Sequence, residues 1–265
     1  LYYLVMDSPA VYSFLFFDLF LLCVESLLIM VERMLSHTSS SDSVISNIGN
    51  DSAGVFAISS SGESFLEKAV GKVSNLALKV EHNKTKDLLY TTGIAHTRWA
   101  THGGVTEANS HPHSSANGRF FVVHNGIIEN YIDLKRQLQA KGYHFYSDTD
   151  TEVVAKLLED LYETDLMTTV MKVTQAIVGA YALVIIDTES PDTMIATKLG
   201  SPMILGISDE AIFLSSDINA VSREAGEFIT LEDHEIVRIE HGSYSVFSAG
   251  TEVSREKEKM TAEFQ

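Results

Sequence analysis

Three polar segments interrupt otherwise apolar runs, and each gathers residue types that can act on a small charged molecule. Residues 93–104 read GIAHTRWATHGG. A strand-like start runs into Arg98, Trp99, Thr101 and His102 and closes on two glycines, which let a loop fold over a ligand or bring its backbone close to one. The guanidinium of Arg98 is a planar fork suited to a carboxylate; a charged surface turn has the same composition. Residues 121–131 read FVVHNGIIENY. Asn125-Gly126 is a strong turn dipeptide and would close a hairpin. Alternatively, the Asn125 side-chain amide and the Gly126 N–H form a pair of donors for one developing negative charge, an oxyanion hole. Residues 147–152 read SDTDTE. Asp148, Asp150 and Glu152 open a helix whose positive end stabilises them, and one of these carboxylates could instead hold a cationic amine.

Five histidines, His96, His102, His111, His113 and His124, raise the question of a metal. Their spacing matches neither HExxH nor a finger pattern, so no metal is expected. There is no glycine-rich phosphate loop, and no cofactor is expected. The single cysteine, Cys23, excludes an internal disulfide framework and any multi-cysteine zinc site, and points to a reduced, cytoplasmic setting.

These segments need a scaffold. The chain has 265 residues, 45% hydrophobic and 21% charged, enough for one large domain or two small ones with a buried core. Nineteen Lys+Arg against 36 Asp+Glu give a net charge of −17, which repels phosphate backbones and anionic lipid and argues against nucleic-acid partners. Residues 12–31 (YSFLFFDLFLLCVESLLIMV) are apolar, but Asp18 and Glu25 lie within them. Each would cost about 2.5–3.5 kcal/mol at a bilayer centre. No Lys or Arg precedes the run, as a secretory signal requires, so a membrane anchor is disfavoured. A mis-assembled terminus or a helix docked on the domain are the alternatives. Residues 37–50 are Ser-, Asn- and Asp-rich and read as a linker, and 251–265 as the start of a connector. Between them, short β-branched or aromatic runs at 54–59, 93–99, 119–124, 180–187, 193–197, 203–207, 211–214, 235–239 and 243–247 read as strands. Helical periodicity covers 131–141, capped by Asn130, then 151–162 and 166–178. Strand groups with helices gathered between them predict an α+β layered fold.

Taken in order, DSAGV (51–55), GIAHTRWATHGGVTEANSHPH (93–113), VVHNGIIENY (122–131), SDTDTEVVAKLL (147–158), GAYALVIID (179–187), KLGSPMILGI (198–207) and FLSSD (213–217) resemble the class II glutamine amidotransferases. The TRWATHG and HPH wording is similar to the glutaminase domain of the glutamine–fructose-6-phosphate aminotransferases. The likeness covers residues 51–250 and leaves 1–50 unmatched. It implies a four-layer αββα sandwich of two stacked, mainly antiparallel sheets, the N-terminal-nucleophile hydrolase fold. It also implies that Arg98, Thr101 and His102 hold the α-carboxylate of glutamine. Asp150, helped by the Gly126 backbone, would take the α-ammonium, Asn125 and Gly126 would form the oxyanion hole, and Trp99 would lie in a loop closing over glutamine.

Family members attack the glutamine amide with a terminal cysteine whose own amine is the base. Here Cys23 is followed by Val24-Glu25, no Cys-Gly pair exists, and Ile48-Gly49-Asn50 stands where the family has Arg-Gly-Tyr. No nucleophile is therefore identifiable, and glutaminase activity of the 265-residue chain is not expected. The resemblance further implies sugar isomerase domains that would take fructose 6-phosphate, a homodimer, and a role in amino-sugar synthesis. A non-catalytic glutamine-binding or dimerising module is the alternative.

Overall fold

The computed structural model describes residues 3–7, 52–83, 90–98, 103–209, 211–222 and 224–260. Period-two alternation decides which way its strands face. In β1 (Tyr3–Asp7), β2 (Ser52–Ile58), β3 (Ser64–Val70) and β4 (Thr92–Arg98), followed later by β9 (Ile204–Ile207), β10 (Ile212–Ser215), β11 (Glu227–Thr230) and β15 (Glu258–Lys259), the chain builds an eight-stranded sheet. Its order is β15-β11-β9-β10-β1-β4-β2-β3. A seven-stranded sheet contains β5 (His113–Ser114), β6 (Phe120–Ile128), β7 (Gly179–Asp187), β8 (Thr193–Leu199), β12 (Ile236–Glu240), β13 (Ser243–Ser248) and β14 (Thr251–Val253). Its order is β14-β13-β12-β8-β7-β6-β5. Every ladder in both sheets is antiparallel.

The sheets pack face to face. Phe56, Ile58 and Ile94 from the first meet Phe121, Val123, Ala182 and Val184 from the second in one buried cluster, and the Phe56 and Phe121 rings stack at 3.7 Å. The other face of the second sheet, with Phe120, Val122, Leu183 and Ile185, is covered by α2 (Tyr131–Ala140), α3 (Asp150–Leu161) and α4 (Leu166–Ala176). The outer face of the first sheet, with Ala53, Val55 and Ala95, is covered by α1 (Val73–Asn83). The layers are therefore α, β, β and α, as the resemblance implied. Each fully buried Leu, Ile or Phe in these layers contributes about 1.5–3 kcal/mol. A one-residue slip of any paired strand would turn its whole apolar set to the wrong layer.

The nine strands and three helices expected from the sequence are all present, with boundaries shifted by a few residues. Asn130 stands at the N-cap position of α2, but its side chain makes no capping hydrogen bond. Its side chain donates to Ala176 O (2.9 Å) and accepts from Val178 N (3.0 Å), closing the α4–β7 connection instead. Thr149 caps α3, accepting from Glu152 N at 3.4 Å. Six strands without an expected element join the sheets: Tyr3–Asp7 between β4 and β10, Ser64–Val70 beside β2, His113–Ser114 beside β6, Glu227–Thr230 beside β9, Thr251–Val253 beside β13, and Glu258–Lys259 beside β11; α1 was likewise not expected. Among the described residues no helix is long and apolar enough to cross a membrane; the apolar run at 12–31, with Cys23, lies outside them.

Candidate functional site

The same alternation that buries the core delivers the polar residues. On β4, Ile94 faces the other sheet, so His96 and Arg98 share that face. On β6, Phe121 and Val123 face the first sheet, so Asn125 does too, while His124 turns toward the helices. His96 and Asn125 thus meet between the sheets, with His96 Nε2 2.9 Å from Asn125 Oδ1. An amide oxygen only accepts, so His96 carries its proton on Nε2.

Asn125-Gly126 is not a hairpin turn. Both residues lie inside β6, paired with Ala182 and Tyr181 of β7. Gly126 is needed for a different reason: its φ is +130°, and a Cβ there would collide with the carbonyl of Ala180. Gly54 of the DSAGV segment has a comparable role, since a Cβ would strike the carbonyl oxygen of His111. The segment 103–112 can therefore cross β2 at close range.

Asp150 is the first residue of α3, and its Oδ2 accepts from Ile128 N at 2.8 Å. This fixes the carboxylate two residues beyond Gly126. Arg98, 5% exposed, directs Nη1 to Gly104 O at 3.4 Å. Asn109 donates to the same carbonyl (2.9 Å) and accepts from Asp148 N (2.9 Å). A continuous set of hydrogen bonds thus ties the arginine to the start of α3. The three carboxylates of SDTDTE divide their work. Asp148 braces Asn109. Buried Glu152 accepts from Tyr146 N, Ser147 N and Ser147 Oγ and pairs with buried Lys156 at 3.3 Å. Asp150 is the one placed beside Asn125-Gly126.

Four of the five histidines flagged in the sequence, His96, His111, His113 and His124, form a buried cluster; His102 lies outside the described residues. His96 stacks on His111 at 4.1 Å, and His113 meets His111 edge-on at 5.0 Å. His111 Nδ1 accepts from His124 N (3.3 Å), so its proton sits on Nε2, facing Thr151 Oγ1 at 3.3 Å. Thr151 in turn lies 3.1 Å from His124 Nδ1, and His113 Nε2 is 2.9 Å from Thr149 Oγ1. Burial holds His96 down to about 3, and holds His111 and His113 well below the usual imidazole range with help from neighbouring cations and imidazoles. Burial also lowers His124, opposed by Asp150, whose Oδ2 is 3.9 Å away. Lys68, next to this cluster, is pushed down to about 8 by burial despite Glu152 and Glu107. Among the described residues no group of three or more His, Cys, Asp or Glu is arranged to hold a metal. Of the residues singled out in the sequence, Arg98 lies on the face of β4 that meets Asn125, Gly126 follows Asn125 on β6, and Asp150 bonds to Ile128 N; Trp99, Thr101 and His102 lie outside the described residues. Nothing in the local sequence marked Asn109, Thr151 or the pairing of Glu152 with Lys156, whose roles depend on partners brought together by folding.

A model of the glutamine amidotransferase domain matches residues 53–254. This chain belongs to the glutamine amidotransferase family. The amidotransferase is 42% identical over 218 residues to a glutamine–fructose-6-phosphate aminotransferase (isomerising) of Fusobacterium nucleatum, covering 82% of this chain and 35% of that protein. It is 45% identical over 197 residues to the Bacteroides thetaiotaomicron enzyme of the same name, covering 73% of this chain and 32% of the relative. The amidotransferase thus spans about a third of the length of these relatives. The solved structure of the allosteric regulatory enzyme of purine biosynthesis superimposes with a TM-score of 0.71 at 20% identity, over 99% of this chain and 49% of that one. Glutamine phosphoribosylpyrophosphate amidotransferase from B. subtilis superimposes with a TM-score of 0.67, also at 20% identity, over 99% and 50%. At that identity the likeness concerns the fold, which is the two-sheet sandwich of the N-terminal-nucleophile amidotransferases.

Proposed function

We propose that this chain is the glutamine-binding portion of a glutamine–fructose-6-phosphate aminotransferase. Such an enzyme moves the amide nitrogen of glutamine to fructose 6-phosphate, giving glucosamine 6-phosphate for amino-sugar synthesis. What supports this reading is one observation. Arg98, a cation on the face of β4 that meets Asn125, is braced at Gly104 O, which Asn109 also holds, and Asp150, an anion, is braced at Ile128 N, two residues beyond Gly126. A zwitterionic amino acid needs one group of each sign near its α-carbon, and its side-chain amide needs donors a few ångströms further on. In this reading Arg98, Thr101 and His102 hold the α-carboxylate, Asp150 the α-ammonium, Asn125 and Gly126 the amide oxygen, and Trp99 covers the ligand. Fructose 6-phosphate would bind only through sugar isomerase domains, in a cytoplasmic homodimer.

The 265-residue chain is proposed to bind glutamine without hydrolysing it. Its only thiol, Cys23, is internal, so its α-nitrogen is in a peptide bond and cannot act as the base. Titration calorimetry with L-glutamine, alongside an ammonia-release assay, tests both parts. Binding that Arg98→Ala abolishes, without ammonia, is expected. Ammonia release at a rate normal for the family would overturn the non-hydrolysing part, and absence of binding would overturn the whole.

A further inference from the structure

An asparagine amide can rotate by half a turn and exchange its oxygen for its NH2 group, because the two ends are nearly the same shape. For Asn125 the two orientations are opposite in effect. With NH2 toward a developing oxyanion the residue stabilises it; with the oxygen there it repels it. The orientation is set from the other sheet. His96 arrives on the inward face of β4 and donates Nε2–H to Asn125 Oδ1 at 2.9 Å. Its ring is itself held in plane, stacked at 4.1 Å and 17° on His111. His111 is in turn held at both nitrogens, by His124 N–H and by Thr151 Oγ1. All of these side chains are buried, so water cannot substitute for the missing donor if one is removed.

We infer that His96 is a positioning residue for the oxyanion site: its Nε2–H pins the oxygen of Asn125 and so commits the amide NH2 to the substrate. This rests on the glutamine reading above, and it adds a residue that does not itself contact the ligand.

Two ligands separate the effects on the full 265-residue chain. L-Glutamate has the zwitterionic head and also an anionic γ-carboxylate that would sit at Asn125. L-2-Aminobutyrate has the same head without that group. His96→Phe keeps a ring to stack on His111 and removes the donor. It is expected to weaken L-glutamate binding by about 10- to 100-fold, as loss of a hydrogen bond to a charged group does. L-2-Aminobutyrate binding should stay within about two-fold, since its head is held by other residues. His96→Gln, whose amide N–H reaches a similar position, should restore L-glutamate binding to within a few-fold. Equal weakening of both ligands by His96→Phe, no weakening of either, or failure of His96→Gln to restore binding would overturn the inference. Nitrogen-15 NMR decides it independently of any ligand. A His96 proton on Nε2, with an Asn125 amide signal that moves in His96→Phe, supports it, and a proton on Nδ1 overturns it. Wild-type chain that binds neither amino acid would remove the glutamine reading while leaving the NMR result to judge the role of His96.

Discussion

Lowering the pH from 7 to 5 should destabilise this domain through its histidines, before most carboxylates titrate. An unfolded histidine takes its proton near pH 6.5. In the folded chain His96 is held down to about 3 by burial, and His111, His113 and His124 are lowered by the same cause. A depressed folded value means that the unfolded chain binds more protons, so the associated stability is fully present above pH 6.5 and is lost as pH falls toward the folded value. For His96 the loss by pH 5 is about 2 kcal/mol, at 1.36 kcal/mol per unit. His111, His113 and His124 lose stability in the same direction over this range, and the four together act on a typical total of about 5–15 kcal/mol. Neighbouring charges enter with either sign: Asp150 favours protonation of His124, while Lys68 opposes it at His111 and His113. Asp165 and Asp233 are lowered too, mainly by hydrogen bonds from Thr168 and Lys198, so their contribution is lost only below about pH 4. The assay is urea denaturation at closely spaced pH values between 7.5 and 5. The slope of unfolding free energy against pH should exceed the equivalent of one proton, about 1.4 kcal/mol per unit, because His96 alone supplies nearly one and the other three add in the same direction. His113→Gln should lower it. A slope below one proton, about 1.4 kcal/mol per unit, would refute the reasoning.

Gly126→Ala should cost about 4 kcal/mol, from backbone strain at positive φ and collision with the Ala180 carbonyl; an unchanged urea midpoint would contradict it. Asp150→Asn keeps an acceptor for Ile128 N but removes the charge, so it should change stability by less than about 1 kcal/mol while lowering glutamine affinity more than about ten-fold, as read by calorimetry. Met6→Pro places a residue lacking N–H in a strand paired on both sides, and thermal melting should show a loss of about 3 kcal/mol or more.

Much of the scaffold was legible because its signals are local. β6, β7 and β8 are β-branched or aromatic runs buried along most of their length, and α3 and α4 carry apolar stripes that match the helical period. The elements that escaped notice are those whose pattern is set by position. β3 is an edge strand, mostly exposed and studded with charge. α1 has no acidic first turn to mark its start, and β14 and β15 contain only three and two residues. At the site, Asn125-Gly126 carried a turn signal, yet pairing with β7 runs straight through it: long-range ladder formation outweighed the local preference. The histidines showed the reverse limitation. Their residue types were conspicuous, but only the fold reveals that they are buried and hydrogen-bonded to threonines and an asparagine. Asn109 and Thr151 looked like ordinary polar residues because nothing in the sequence says which partners they will meet.

The placement of β1 has a consequence for the order of assembly. Without it the eight-stranded sheet is two separate pieces, β3-β2-β4 and β10-β9-β11-β15. Each can form from neighbouring segments, but the strand that welds them precedes both in the chain. Met6 must wait for Phe213, roughly 200 residues later, which at about 5–20 residues per second is on the order of ten to forty seconds. Throughout that interval β1 can already pair with β4, but its other edge has no partner and presents open backbone donors and acceptors to any other nascent chain. The eight-stranded sheet is therefore completed by a late, long-range pairing of β1 with β10.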